Sequence, residues 1–195
     1  TDPDNGQTFT YSLVSGTGST DNAAFTISGS SLTINASANY EAQSSYSIRV
    51  RTTDSGSPAL TFDKVFTITV TDVNEAPTNI TLSSTSIAEN NTAGATVGTF
   101  STTDPDNGQT FTYSLVSGTG STDNAAFTIT GSTLTINASA NYEAKSSYSI
   151  RVRTTDSGSP ALTFDKVFTI TVTDRSEEHT SELQSPCNLV CRLLL

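Results

Sequence analysis

The clearest apolar runs along this chain have a period of two. Tyr46, Ile48 and Val50 alternate with Ser47, Arg49 and Arg51, and Phe66, Ile68 and Val70 alternate with Thr67, Thr69 and Thr71. That spacing turns one face of a strand inward and the other to solvent. Phe9, Tyr11 and Leu13 predict a further strand. Phe25-Thr26-Ile27 and Leu32-Thr33-Ile34 flank Gly29 and predict a hairpin. Asp54-Ser55-Gly56-Ser57-Pro58 predicts the turn between the two longest strands. No window carries a long helical period.

The pattern then repeats. Residues 1–72 recur as residues 103–174, and only Ser28/Thr130, Ser31/Thr133 and Gln43/Lys145 differ. A period of this length is one small domain rather than a solenoid turn. Residues 74–102 complete the second unit: Ile80 and Leu82 predict a first strand, Ile87 a short continuation, and Val97 and Phe100 the next strand. Each full unit thus reads as about seven short strands with turn signals every 8–12 residues, the pattern of an antiparallel Greek-key sandwich. The expected fold class is all-β, as tandem antiparallel Greek-key β-sandwiches. The first unit lacks the counterpart of 74–102, so it is expected to be incompletely covered and less stable.

The repeat breaks after Asp174. The first copy continues Val73-Asn74-Glu75-Ala76-Pro77, whereas the second continues Arg175-Ser176-Glu177-Glu178-His179 and runs to Leu195. Residues 175–185 and 189–195 resemble the in-frame translation of a sequencing adapter, so the segment is set aside as a non-native tail. The C-x3-C pair Cys187/Cys191 and the single His lie in that tail and carry no redox or metal reading. The expected organisation is 1–73, an N-terminally truncated repeat; 74–174, a complete repeat; and 175–195, the tail.

Charge narrows the partners. Acidic residues outnumber basic ones 19 to 9 in the chain, which opposes nucleic acid and anionic membranes and suits cation binding. With neither His nor Cys in the repeats, the many Ser and Thr have no usual base, so nucleophilic catalysis is not expected. Asp104 and Asp106 sit in a proline turn that recurs once per repeat, which reads as structure rather than a glycosidase pair; the chain is read as a non-enzyme. Asn35, Asn79, Asn90 and Asn137 match the N-glycosylation pattern, as a chain rich in Ser, Thr and Asn does by chance. Arg49, Arg51, Arg151 and Arg153 are expected as solvated basic stripes.

The acids cluster at strand ends and turns: Asp72-Val73-Asn74-Glu75-Ala76-Pro77, Ala88-Glu89-Asn90, Asp104-Pro105-Asp106, Asn141-Tyr142-Glu143 and Thr155-Asp156-Ser157-Gly158. Singly, each is an ordinary turn residue. In this order and spacing, across residues 1–174, the motifs resemble those of the cadherin repeat family, with bacterial cadherin-like arrays as the nearest likeness. The resemblance implies cadherin-like, immunoglobulin-like sandwiches with Ca2+ at the junction of successive repeats. The positions it implies as ligands are Glu41, Asp72, Asn74, Glu75, Asp104, Asp106 and Asp156. Asp2, Asp4 and Asp54 would face an upstream junction, and Glu89 and Glu143 a downstream one. Calcium takes about 6–8 oxygens, and six carboxylates with one amide supply one ion, or two with sharing. Without metal the carboxylates repel; with it they stiffen the chain. Asn39 stands where the family has Asp, Ala76 replaces the second Asn of the linker motif, and the early Glu has no counterpart in the first copy, so binding weaker than at an intact junction is expected.

The resemblance further implies a cell-surface adhesion protein or extracellular stalk, with other copies of itself or cell-surface ligands as partners and a membrane or surface anchor on the parent protein. The Trp-exchange strand of some members has no counterpart in a chain with no Trp. The rival expectation is a passive spacer or accessory region of a large secreted adhesin or enzyme.

Overall fold

A computed structural model describes residues 6–175. Asp2, Asp4 and the tail beyond Arg175, with His179, Cys187 and Cys191, lie outside the described residues. The chain divides into two compact units: the described part of Thr1–Ile80 with Thr102–Thr112 and Arg153–Asp165, and Thr81–Ser101 with Tyr113–Val152 and the described part of Lys166–Leu195.

The first repeat forms β1 (Phe9–Leu13), β2 (Phe25–Ser28), β3 (Ser31–Ile34), β4 (Ser45–Asp54) and β5 (Thr61–Thr69). Its sheets are β1-β4-β5 and the hairpin β2-β3. The second repeat adds β6 (Asn79–Leu82), β7 (Ser86–Ala88) and β8 (Thr96–Thr103) ahead of β9 (Thr112–Leu115), β10 (Phe127–Thr130), β11 (Thr133–Ile136), β12 (Ser147–Thr155) and β13 (Thr163–Thr173). Its sheets are β10-β11-β8-β6 and β7-β13-β12-β9. The expected strands and turns are present. The hairpin turns at Gly29 and Gly131, with φ of 59° and 58°, use the backbone region glycine enters without steric cost.

One element departs from the expected antiparallel pattern. Ile87 does not continue β6; it lies in β7, which pairs in parallel with β13 through Val172↔Ile87. The segment between β6 and β7 moves the chain from one sheet to the other, so β7 extends in the same direction as the last strand.

Local bonds fix the same details twice. Asn22 Nδ2 donates to the Val14 carbonyl at 2.9 Å and its Oδ1 accepts the Arg49 N–H at 2.9 Å; Asn124 does the same with Val116 and Arg151. Phe25 meets Tyr46 edge-on at 5.4 Å, and Phe127 meets Tyr148 at the same distance. Arg49 and Arg51 are not free stripes: both bind Asp63, at 2.9 and 2.7 Å, and Arg153 binds Asp165 at 2.7 Å.

Burial separates the copies. Leu134 and Ile136 are 0% and 1% exposed, whereas their counterparts Leu32 and Ile34 are 39% and 41% exposed. Phe168 is 7% exposed and Phe66 is 40%. The second repeat carries β8 against β11, with Leu134 opposite Gly98. It also places Phe100 5.7 Å from the Phe168 ring and 5.2 Å from the Tyr113 ring. Gly98 is needed there, because a Cβ would lie 2.9 Å from the Ser84 backbone nitrogen.

Two measurements check this account. Leu134→Ala is expected to cost about 2–5 kcal/mol in urea unfolding, as a large-to-small core change does, while Leu32→Ala costs about 1 kcal/mol or less; equal losses would contradict the burial difference. Arg51, and after it Arg49, hold the Asp63 carboxyl far below the ordinary carboxylate range. That depressed value stabilises the fold above the unfolded pKa of about 4 and is lost as pH falls through the folded value. Asp63→Asn should therefore melt below the native chain at neutral pH, with the gap closing progressively below about pH 4; a gap independent of pH would refute the ion-pair origin.

Candidate metal centre

The linker and three loops converge within the first unit. The Asp104-Pro105-Asp106 turn is closed by the Asp106 N–H donating to Asp104 Oδ1 at 2.9 Å. The linker docks on it through the Glu75 N–H, which donates to Asp106 Oδ2 at 2.8 Å. One residue earlier, Asn74 Nδ2 donates to Asp156 Oδ2 at 3.2 Å and to the Pro160 carbonyl at 2.9 Å, while Asn74 Oδ1 accepts Gln109 Nε2 at 2.8 Å. These bonds explain why segments 102–112 and 153–165 of the second repeat belong to the same compact unit as the linker.

Carboxylate oxygens of Glu41, Glu75 and Asp106 lie within 4.8 Å of one another. Glu75 Oε2, Asp104 Oδ2 and Asp106 Oδ1 are buried and accept no hydrogen bond. Buried acceptors without donors are costly, and carboxylates this close repel. Desolvation pushes the Glu75 carboxyl above its ordinary value; the charges of Glu41 and Asp106, a hydrogen bond with Glu41, and the charge of Asp72 push it the same way. A hard divalent cation supplies what these oxygens lack, and oxygen-only donors are what calcium takes. The residues present therefore fit the ion.

Asp156 is different. Burial would raise its pKa, but the Leu162 N–H, Asn74 Nδ2 and the Gly158 N–H outweigh that and lower it. The Leu162 and Gly158 amides reach Oδ1 at 2.9 and 3.0 Å. Of the seven expected ligands, the structure gathers Glu41, Glu75 and Asp106 into one group and bonds Asp104 to it. Asn74 and Asp156 form an adjoining hydrogen-bonded pair, and Asp72 is exposed. Asn39, where the family has Asp, accepts the Ala42 N–H at 2.6 Å and shapes the turn before Glu41.

Sequence reasoning missed three supporting residues. Gln109 holds Asn74, and Ser157 holds Gln109 through a 2.6 Å bond. Gly158 leaves room for the carboxamide, since a Cβ there would fall 1.8 Å from Asn74 Oδ1. All three recur one period earlier as Gln7, Ser55 and Gly56, but the repeat carries every residue along equally and does not single them out.

The second unit holds a related group. Glu89, Glu143 and Asp174 bring carboxylate oxygens within 4.8 Å of one another. Glu89 is buried, and the N–H groups of Arg175 and Tyr142 hold its carboxyl below the ordinary value. Asn35 of the glycosylation pattern is occupied internally: Thr26 Oγ1 donates to its Oδ1 at 2.7 Å and its Nδ2 donates to the Ala23 carbonyl at 3.1 Å.

Paired β-sheets carrying oxygen-only carboxylate groups at their loop ends define an extracellular-type β-sandwich repeat. Residues 83–173 match the family model of the cadherin domain. Mouse protocadherin Fat 4 is 30% identical over 174 residues, 87% of this chain and 3% of that protein. Protocadherin gamma-A10 of Pan troglodytes is 33% identical over 154 residues, 75% of this chain and 16% of that protein. Among solved structures, extracellular cadherin domains 3–6 of protocadherin gamma B2 match with a TM-score of 0.62 at 22% identity, covering 87% of this chain and 42% of that one. Domains 1–2 of human protocadherin-24 match with a TM-score of 0.64 at 18% identity, covering 86% and 82%. A cis-dimer structure of protocadherin gamma B7 domains 3–6 matches with a TM-score of 0.61 at 23% identity, covering 88% and 41%. The chain belongs to the cadherin repeat family.

Proposed function

We propose that this chain is a pair of calcium-binding repeats, 1–73 and 74–174, from a cell-adhesion protein or extracellular stalk, stiffened by Ca2+ at the linker. The observation that carries the reading is the set of buried, donor-free carboxylate oxygens on Glu75, Asp104 and Asp106. Glu41 completes that group from the first repeat, and Asp72 stands at the start of the linker.

Asn74 and Asp156 serve without breaking their present bonds. An amide oxygen has two lone pairs and a carboxylate about four acceptor positions, and neither set is exhausted. In the metal-free state the like charges loosen the linker from the 104–106 turn. Bound calcium neutralises them and holds linker and turns together, so a flexible connection becomes a stiff one. The chain spans a small fraction of its curated relatives, and adhesion, surface anchoring and homophilic partners are assigned to the parent protein on family likeness. No described helix is long and apolar enough to cross a membrane.

Near-identity of the two repeats favours a second reading, a passive spacer, because a specific interface diversifies one copy. Calcium-dependent dimers in sedimentation support adhesion, and a monomer at all calcium levels supports the spacer.

Calcium titration of the full chain by calorimetry, with thermal melting, tests the site. Saturable heat and a raised melting temperature are expected, and Asp104→Ala with Asp106→Ala should abolish both. Absence of heat and of any shift in the native chain would return these acids to the role of turn residues.

A further inference from the structure

We propose that the open face of the first repeat is an acceptor for a strand segment of the kind residues 79–103 form, and that it binds such a segment when the segment is not already seated on a sandwich. Tyr11, Leu32, Ile48, Val50, Phe66 and Ile68 line a groove of about 250 Å³ on that face, together with the Gly29-flanking hairpin residues Ile27, Ser30 and Ser31. Among the described residues, β3 has β2 as its single neighbour and β5 has β4 as its single neighbour. Both strands therefore offer a free ladder edge beside an apolar groove.

The occupant is identified by the chain itself. The second repeat has the same groove residues at the same positions, Tyr113 for Tyr11, Leu134 for Leu32 and Phe168 for Phe66, and there the face is covered. Phe100 stands between Tyr113 and Phe168 with ring distances of 5.2 and 5.7 Å. The Phe100 N–H donates to the Ser132 carbonyl at 2.8 Å, and Ser132 corresponds to Ser30. The edge of β11 is taken by β8 and the edge of β13 by β7. One segment thus supplies a wedge for the groove and a strand for each free edge. A second whole copy is a poorer donor, because its own 79–103 is already seated and gains nothing by moving.

The same segment chemistry makes the recognition specific. Gly98 lets the strand lie close over the leucine, and a period-two pattern with Val97 and the ring of Phe100 turned inward matches the pleat of the acceptor. An unrelated apolar peptide lacks the glycine at that place and the aromatic wedge two residues later.

A synthetic peptide of residues 78–103 titrated into the full chain tests the proposal, read by calorimetry and by amide hydrogen exchange. One peptide per chain is expected, with slowed exchange along β3 and β5 and no change in β11 and β13. A Phe100→Ala peptide should bind roughly a hundredfold weaker or worse. Because a free peptide can self-associate, a second arm joins the same segment to the N-terminus of the full chain, where it should raise the melting temperature of the first repeat and slow exchange at Leu32. The proposal is overturned if neither arm protects β3 and β5, or if the Phe100→Ala peptide binds equally well. It is also overturned if the chain associates with itself through these edges and the peptide does not compete, since the face is then a contact between copies.

Discussion

A sheet with one apolar face depends on a second layer to cover it, and this chain carries nearly the same sequence in a covered and a less covered form. The hairpin registers survive in both: Ser28 opposes Ser31 in one copy and Thr130 opposes Thr133 in the other. The Asn22 and Asn124 bonds survive as well. What changes is burial of the inner residues, from Leu134 to Leu32 and from Phe168 to Phe66. Strand formation and register are therefore set by local patterning and turn geometry, while core formation is set by a segment that lies outside the repeated stretch. Burial of an aliphatic side chain is worth about 1.5–3 kcal/mol, so the cover rather than the ladder decides where stability resides.

That division also marks what could be read from residues alone. Period two, Gly29 and the Asp54–Pro58 turn were sufficient for the strands of both copies, because each is a short-range signal. The sheet assignment of Ile87 was not legible. A three-residue strand between turn signals has no period to fit, and its parallel pairing with Val172 joins residues far apart in sequence. The arginine stripes were misread for a related reason. Alternation places Arg49 and Arg51 on the outer face, but only the register Arg51↔Asp63 brings their shared partner opposite them. At the metal centre, motif order located the acids, whereas Gln109 and Ser157 bear no mark that distinguishes them from other polar turn residues.

The acids themselves fall into two groups with opposite electrostatics, and that contrast carries more than their number does. Asp21, Asp63, Asp123, Asp156 and Glu89 each receive backbone amides or basic or amide side chains, and each titrates below its ordinary value. These are structural acceptors with their donors built in. Glu75 is the reverse: its surroundings are other carboxylates and apolar contact, and its pKa moves up. An acidic residue whose neighbours disfavour its charge either titrates or waits for a cation.

The one charge-changing difference between the copies obeys the same distinction. Gln43 Nε2 donates to Asp21 Oδ1 at 3.0 Å, and Lys145 at the equivalent position binds Asp123 Oδ1. Asp21 and Asp123 also accept the Ser47 and Ser149 amides, at 2.6 and 2.7 Å. With that backbone bond in place, either a neutral amide or an ammonium satisfies the remaining oxygen, so the substitution alters net charge without altering the loop. No such latitude exists at Glu75, Asp104 and Asp106. Their buried oxygens have no protein donor to exchange for another, and a neutral replacement there removes the repulsion and the cation affinity together.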